Sequence, residues 1–155
     1  YSHTIMKKGD SIPHITLKDK DGNDFYLESY VGEKAVVIYF YPKNFTTDCT
    51  MQACEFRDKY EEFKDLGAEV IGISSDTEAS HARFIEKFKL PFIFLSDPDK
   101  KARKALGVQS SLLGLIPGRE TFLFNKEGKL QMRYNNLKAC RGMPNAKHSN
   151  DRFHQ

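Results

Sequence analysis

The chemistry-bearing residues of this chain crowd into one stretch, Phe40-Tyr41-Pro42-Lys43-Asn44-Phe45-Thr46-Thr47-Asp48-Cys49-Thr50-Met51-Gln52-Ala53-Cys54. Before it the chain is apolar and β-branched, as a strand would be; after it the period becomes that of a helix. Cys49 therefore begins a helix. The first backbone N–H groups of a helix lack intrahelical partners and its dipole is positive there, so a thiolate is stabilised. A cysteine so placed is a useful nucleophile near neutral pH. Thr46 lies three residues earlier. Its hydroxyl can point at the sulfur, donating to it or aligning an oxygen of the molecule attacked.

Cys54 supplies a second thiol at a spacing that is not Cys-x-x-Cys. On an intact α-helix, positions i and i+5 lie roughly 8–9 Å apart at Cα. A disulfide tolerates no more than about 7 Å. A Cys49–Cys54 bond thus requires the first helical turn to unwind, which implies a helix in the reduced state and local melting in the oxidised one. The plain alternative is a pair of buried structural cysteines.

The elements that must position these residues follow the same patterning. Ile15-Thr16-Leu17 and Phe25-Tyr26-Leu27 flank an Asp21-Gly22 turn and read as a hairpin. Ala35 to Tyr41 is an unbroken apolar run, expected as a strand buried on both faces and ended by Pro42. Cys49, Ala53, Phe56, Tyr60 and Phe63 mark one face of a helix over 49–66, stopped at Gly67. Glu69 to Ser74 is a second strand. Asp76 or Thr77 caps a helix over 79–89 whose inner face is expected to carry Ala82, Ile85 and Phe88 or Phe84. Phe92 to Leu95 is a third strand, and a short helix from Asp97 to Leu106 closes at Gly107. Ser110 to Gly118 reads as a loop, and Thr121–Phe124 with Lys129–Tyr134 as a second hairpin. The alternation predicts an α/β sandwich with a mixed sheet. Residues 1–11 read as peripheral, and from Leu137 the patterning stops.

Bulk properties bound the function. The chain has 155 residues, enough for one domain with a real core, and 39% hydrophobic against 29% charged residues is a soluble globular mix. No stretch approaches the roughly 18 apolar residues of a membrane span. A net charge of +3 with interspersed signs is weak as a nucleic-acid signal, so neither membrane nor nucleic acid is an expected partner. Three cysteines argue against a disulfide scaffold and for a reducing setting. The chain starts at Tyr1 without Met, which leaves room for a removed targeting segment. The five histidines show no metal spacing with the cysteines, and no phosphate loop or nucleotide fingerprint is present, so no metal or cofactor is expected.

The pattern Pro42-x-x-x-Thr46-x-x-Cys49 resembles the peroxiredoxin active site, and a second cysteine five residues later resembles the Q-type, or bacterioferritin-comigratory-protein, branch. Ala68-Glu69-Val70-Ile71-Gly72-Ile73-Ser74, Leu95-Ser96-Asp97 and Leu115-Ile116-Pro117-Gly118-Arg119-Glu120-Thr121-Phe122 are similar to that branch too. With Tyr134-Asn135-Asn136 they look most like its plastid and cyanobacterial members. The resemblance covers roughly residues 5–136 and implies a thioredoxin-like α/β fold, a mixed central sheet flanked by helices, over residues 1–136. It implies a thiol peroxidase acting on hydrogen peroxide and organic hydroperoxides, in antioxidant defence. Cys49 would be the peroxidatic cysteine, passing through a sulfenic acid. Cys54 would resolve it as an intramolecular disulfide. Thr46 would hydrogen-bond the reacting oxygens, Pro42 would shield the sulfur, and Arg119 would lie over it. Thioredoxin or a similar dithiol would be the reductant, the chain would be a monomer, and its place would be the cytoplasm or a plastid.

Two departures stand out. Thr47-Asp48 replaces the family's Pro-Gly before the cysteine, and the Asp48 charge is expected to slow peroxide attack unless it faces solvent or caps the helix. Residues 137–155 form an atypical polar and basic tail in place of the family's closing helix, which would leave apolar surface open. Cys140, in that tail, is expected to be a bystander. Three other readings compete. A general thiol–disulfide oxidoreductase would want Cys-x-x-Cys. A peroxide sensor or relay shares the first chemical step. A structural domain that had lost the chemistry would need a disrupted fold.

Overall fold

The computed structural model describes residues 6–108 and 119–135. Within them, β1 (Thr16–Lys18), β2 (Asp24–Tyr26), β3 (Ala35–Phe40), β4 (Ala68–Ser74), β5 (Ile93–Ser96), β6 (Glu120–Phe124) and β7 (Leu130–Asn135) form one sheet in the order β2-β1-β5-β4-β3-β6-β7. Helices α1 (Thr47–Asp65), α2 (Glu78–Phe88) and α3 (Lys101–Leu106) connect the strands. β3, β4 and β5 run parallel, while β6 lies antiparallel to β3, so the sheet is mixed. The α/β fold expected from the patterning is present.

β3 shows why the apolar run had to be unbroken. Val37, Tyr39 and Tyr41 face a core shared with α1 and α2, while Val36, Ile38 and Phe40 face a second core shared with α3 and the first hairpin. A strand alternates its side chains, so one buried on both faces needs an apolar residue at every position. Every residue of β3 is buried. Phe56 and Phe63 of α1 close the first core, and burying each such ring contributes about 1.5–3 kcal/mol.

The helix ends depart from the sequence reading in small ways. α1 begins at Thr47, so Cys49 is its third residue rather than its first. Of the two expected caps of α2 it is Thr77 that serves, its Oγ1 accepting from the Ser80 N–H at 3.1 Å, and the helix begins at Glu78 rather than at 79. The buried residues of α2 are Phe84, one of the expected pair, and His81, which was not expected, while Ile85 and Phe88 pack partly buried against the same core. α3 starts at Lys101, and the Asp97 carboxylate accepts from the Ala102 and Arg103 N–H groups, both at 3.1 Å. A 3-10 turn over Leu27–Tyr30 was not anticipated. The N-terminal segment is not wholly peripheral: Met6 is buried, and Gly9 N–H donates to the Leu130 carbonyl at 2.7 Å. The expected loop over 110–118 and tail over 137–155, with Cys140, lie outside the described residues.

Gly72 lies opposite Tyr39 in the β3–β4 register. A Cβ there would stand 2.9 Å from Phe94 Cε2 and 3.0 Å from Tyr39 Cζ, two buried rings with no free end to move. We expect Gly72→Ala to destabilise the protein by about 1–3 kcal/mol through overpacking. Equilibrium urea unfolding would read this as a lowered midpoint.

Candidate active site

The site forms where β3 ends. The chain leaves the sheet at Tyr41, turns through residues 42–46 and enters α1. Phe40 pairs with Glu120, so the end of β3 and the antiparallel start of β6 lie side by side at one end of the strands. Arg119, just before β6, shares the parity of Thr121 and Leu123, and Leu123 faces the core shared with α1. That register brings a residue seventy positions from Cys49 onto its sulfur. Arg119 Nη2 donates to Cys49 Sγ at 3.2 Å, and Nη1 donates to Gln52 Oε1 at 2.8 Å.

Cys49 is 1% exposed and a free thiol, and Gln52 is fully buried one helical turn later on the same face. The guanidinium thus bridges two side chains of α1 in a place largely closed to water. A charge-assisted bond is stronger there than at the surface. Tyr39 lies in the same cluster; its hydroxyl has no hydrogen-bond partner among the described residues, and burial pushes the phenol well above its ordinary pKa. It stays a neutral phenol.

The other expected site residues are placed with less direct contact. Thr46 is the N-cap residue of α1, and Thr50 N–H donates to its carbonyl at 2.9 Å. Its hydroxyl donates to the Lys43 carbonyl at 2.9 Å rather than to the sulfur, so what it can offer an oxygen at Cys49 is its lone pairs. Pro42 is half-buried at the head of the loop. Cys54 is a free, half-buried thiol on the same unbroken helix as Cys49. The pair therefore stands in the reduced, helical arrangement that the spacing argument requires.

Asp48 is exposed in the first turn of α1, where a carboxylate favours the helix dipole. The condition under which its charge matters little is met. An exposed charge of this kind is worth about 0–1 kcal/mol, so Asp48→Gly should change the second-order rate with peroxide by less than about fivefold. Stopped-flow kinetics of the two reduced proteins would check it.

Sequence reasoning missed Gln52 and Asn44. Gln52 was findable from its i+3 spacing to Cys49 on one helix face. Asn44 had little local signal: of its partners only Tyr41 is near in sequence, while Asp76, Ser80 and His81 lie more than thirty residues away.

Residues 8–133 match the model of the AhpC/TSA family. The chain belongs to that family. Within it, the chain is a peroxiredoxin of the Q type, a branch of thiol peroxidases. It is 53% identical over 131 residues to a chloroplastic peroxiredoxin Q of Sedum lineare, an alignment spanning 84% of this chain and 70% of that protein. It is 52% identical over 131 residues to a chloroplastic peroxiredoxin Q of Arabidopsis thaliana, covering 84% of this chain and 60% of the relative. The peroxidoxin BcpB of Mycobacterium tuberculosis superposes with a TM-score of 0.83 at 29% identity, covering 96% of this chain and 97% of that one. The thioredoxin-like peroxiredoxin fold follows.

Proposed function

We propose that this peroxiredoxin reduces hydrogen peroxide and organic hydroperoxides in a two-cysteine cycle. The Cys49 thiolate attacks the terminal peroxide oxygen. The O–O bond breaks, an S–O bond forms, and the alkoxide or hydroxide leaves and takes a proton. Cys49 is now a sulfenic acid. The first turn of α1 then unwinds, the Cys54 thiolate attacks the oxidised sulfur, and water leaves as the disulfide closes. A dithiol of the thioredoxin type returns both cysteines to thiols by exchange.

Arg119 holds the thiolate and meets the charge that grows on the leaving oxygen. Thr46 accepts from the peroxide O–H, and Pro42 shields the sulfur. The observation that carries the reading is the Arg119 bond to Cys49 Sγ at 3.2 Å. The chain acts as a monomer, and the chloroplastic relatives support a plastid setting.

Hydrogen peroxide consumption with thioredoxin and its reductase tests the assignment. The parent should turn over, and Cys49→Ser should fall to the background rate. Normal turnover by Cys49→Ser would refute it.

A further inference from the structure

Asn44 stands in the loop that carries Pro42 and Thr46, five residues before Cys49, and the cycle above gives it no part. It is 3% exposed. Its backbone N–H donates to Asp76 Oδ2 at 2.8 Å. Its Oδ1 accepts from the Tyr41 hydroxyl at 2.5 Å. Its Nδ2 donates to Ser80 Oγ at 3.1 Å and lies 3.0 Å from His81 Nδ1. Asp76 also accepts from Ser74 Oγ at 2.7 Å. The end of β3, the turn after β4 and the first turns of α2 therefore meet on one residue, the turn through its backbone N–H and the other two through its side chain.

The next residue, Phe45, has φ +67°, a left-handed conformation that strains a non-glycine residue. Its ring packs on Phe84 and Phe88 at centroid distances of 5.2 and 6.2 Å. Strain of this kind persists only where the surroundings over-determine it.

The contacts also set proton positions. Asn44 Nδ2 can only donate, so His81 Nδ1 must accept, and the ring is neutral with its proton on Nε2. Burial holds the ring neutral, pushing its pKa down to about 4 against the opposing pull of Asp76, the nearby Leu95 carbonyl and Glu78. From β5 the Phe94 ring packs against it at 5.9 Å. Burial likewise keeps the Tyr41 phenol protonated and able to donate.

We propose that Asn44 and His81 are positioning residues: they clamp the loop that aims Thr46 and Pro42 at Cys49, and they hold it still while the first turn of α1 unwinds. Neither touches the sulfur. The inference rests on Cys49 being the nucleophile. It separates two steps that a general loosening of the fold would slow together. Peroxide attack needs the loop aligned. Disulfide closure needs the helix start to come free, and a loose loop does not hinder that.

The test measures the steps apart. In a Cys54→Ser background, dimedone trapping and mass spectrometry give the rate of sulfenic acid formation at Cys49; with Cys54 present, rapid quenching gives the rate of disulfide closure. Asn44→Ala should slow attack by about tenfold or more, since small misplacements of reacting groups cost up to 10²-fold, while closure is no slower. Asn44→Asp keeps the Tyr41 bond but sets an acceptor, beside Asp76, against His81 Nδ1. The ring must bring a proton there, so its ionisation, followed by NMR, should move upward from about 4, and part of the attack rate should return. The proposal is overturned if Asn44→Ala attacks at the parent rate, if attack and closure slow by the same factor, or if Asn44→Asp leaves the His81 ionisation unmoved. Should Asn44→Ala not fold, Tyr41→Phe removes one bond and keeps the ring; it must show the same split to a smaller degree, and parent rates in both steps would overturn the proposal. A Cys54→Ser parent that forms no sulfenic acid at Cys49 overturns the nucleophile reading itself, and the clamp with it.

Discussion

Arg119→Met should lower the second-order rate of peroxide reduction by about 10²- to 10³-fold, the range for removing one preorganised donor from the place where charge develops. The long apolar side chain keeps much of the packing and removes both N–H contacts. Two losses combine. Cys49 Sγ loses its donor, and Gln52 Oε1 is left buried without one. The second is a stability effect of about 1–3 kcal/mol that urea unfolding measures separately. Arg119→Lys keeps a charge but cannot reach the sulfur and Gln52 together, so its rate should fall between the two. Stopped-flow mixing of reduced protein with hydrogen peroxide gives all three rates.

Cys54→Ser should leave that first step within about twofold of the parent, because among the described residues no hydrogen bond joins Cys54 to the Arg119–Cys49 pair, yet lower thioredoxin-dependent turnover by more than about tenfold. With no thiol to condense with, the sulfenic acid persists and a second peroxide carries it to the sulfinic acid, which thioredoxin does not reduce. The parent avoids this only by melting the start of α1. That melting breaks the Thr50 N–H bond to the Thr46 carbonyl and frees Cys49 from Arg119. Each bond lost costs about 0.5–1.5 kcal/mol, or about 1.5–3 where a charge takes part, which the disulfide offsets. A measurement of sulfinic acid by intact mass after repeated peroxide additions distinguishes the two proteins.

Much of this was legible because the decisive patterns are local. An apolar run without alternation declared β3 as buried on both faces, and spacings of four and three declared α1. The cysteine at a loop-to-helix junction followed from those two elements. Arg119 was legible only through the resemblance of its segment to a family. Its physical warrant is a strand register, Phe40 against Glu120, which joins positions eighty residues apart. The inner face of α2 was read without His81, because it is a polar type, buried there beside the expected Phe84 and held neutral by burial and by Asn44. Hydropathy patterning weighs His as a surface residue and cannot see a partner thirty-seven positions away. Thr46 was expected to turn its hydroxyl to the sulfur. The Lys43 carbonyl, three residues back as Cys49 is three residues on, takes that proton instead.

The central claim is that Cys49 and Cys54, apart on one helix, become bonded to each other during turnover. Cleavage after Lys43 and Arg57 places both in a single tryptic peptide of residues 44–57. Reduced protein would be given one equivalent of hydrogen peroxide, quenched in acid with an alkylating reagent, digested and weighed. The account predicts that this peptide is lighter by two hydrogens and unalkylated at both cysteines, and that the protein stays a single chain on a non-reducing gel. A peptide with Cys49 oxygenated and Cys54 alkylated, or a bond from Cys49 to Cys140 or to a second chain, would contradict it.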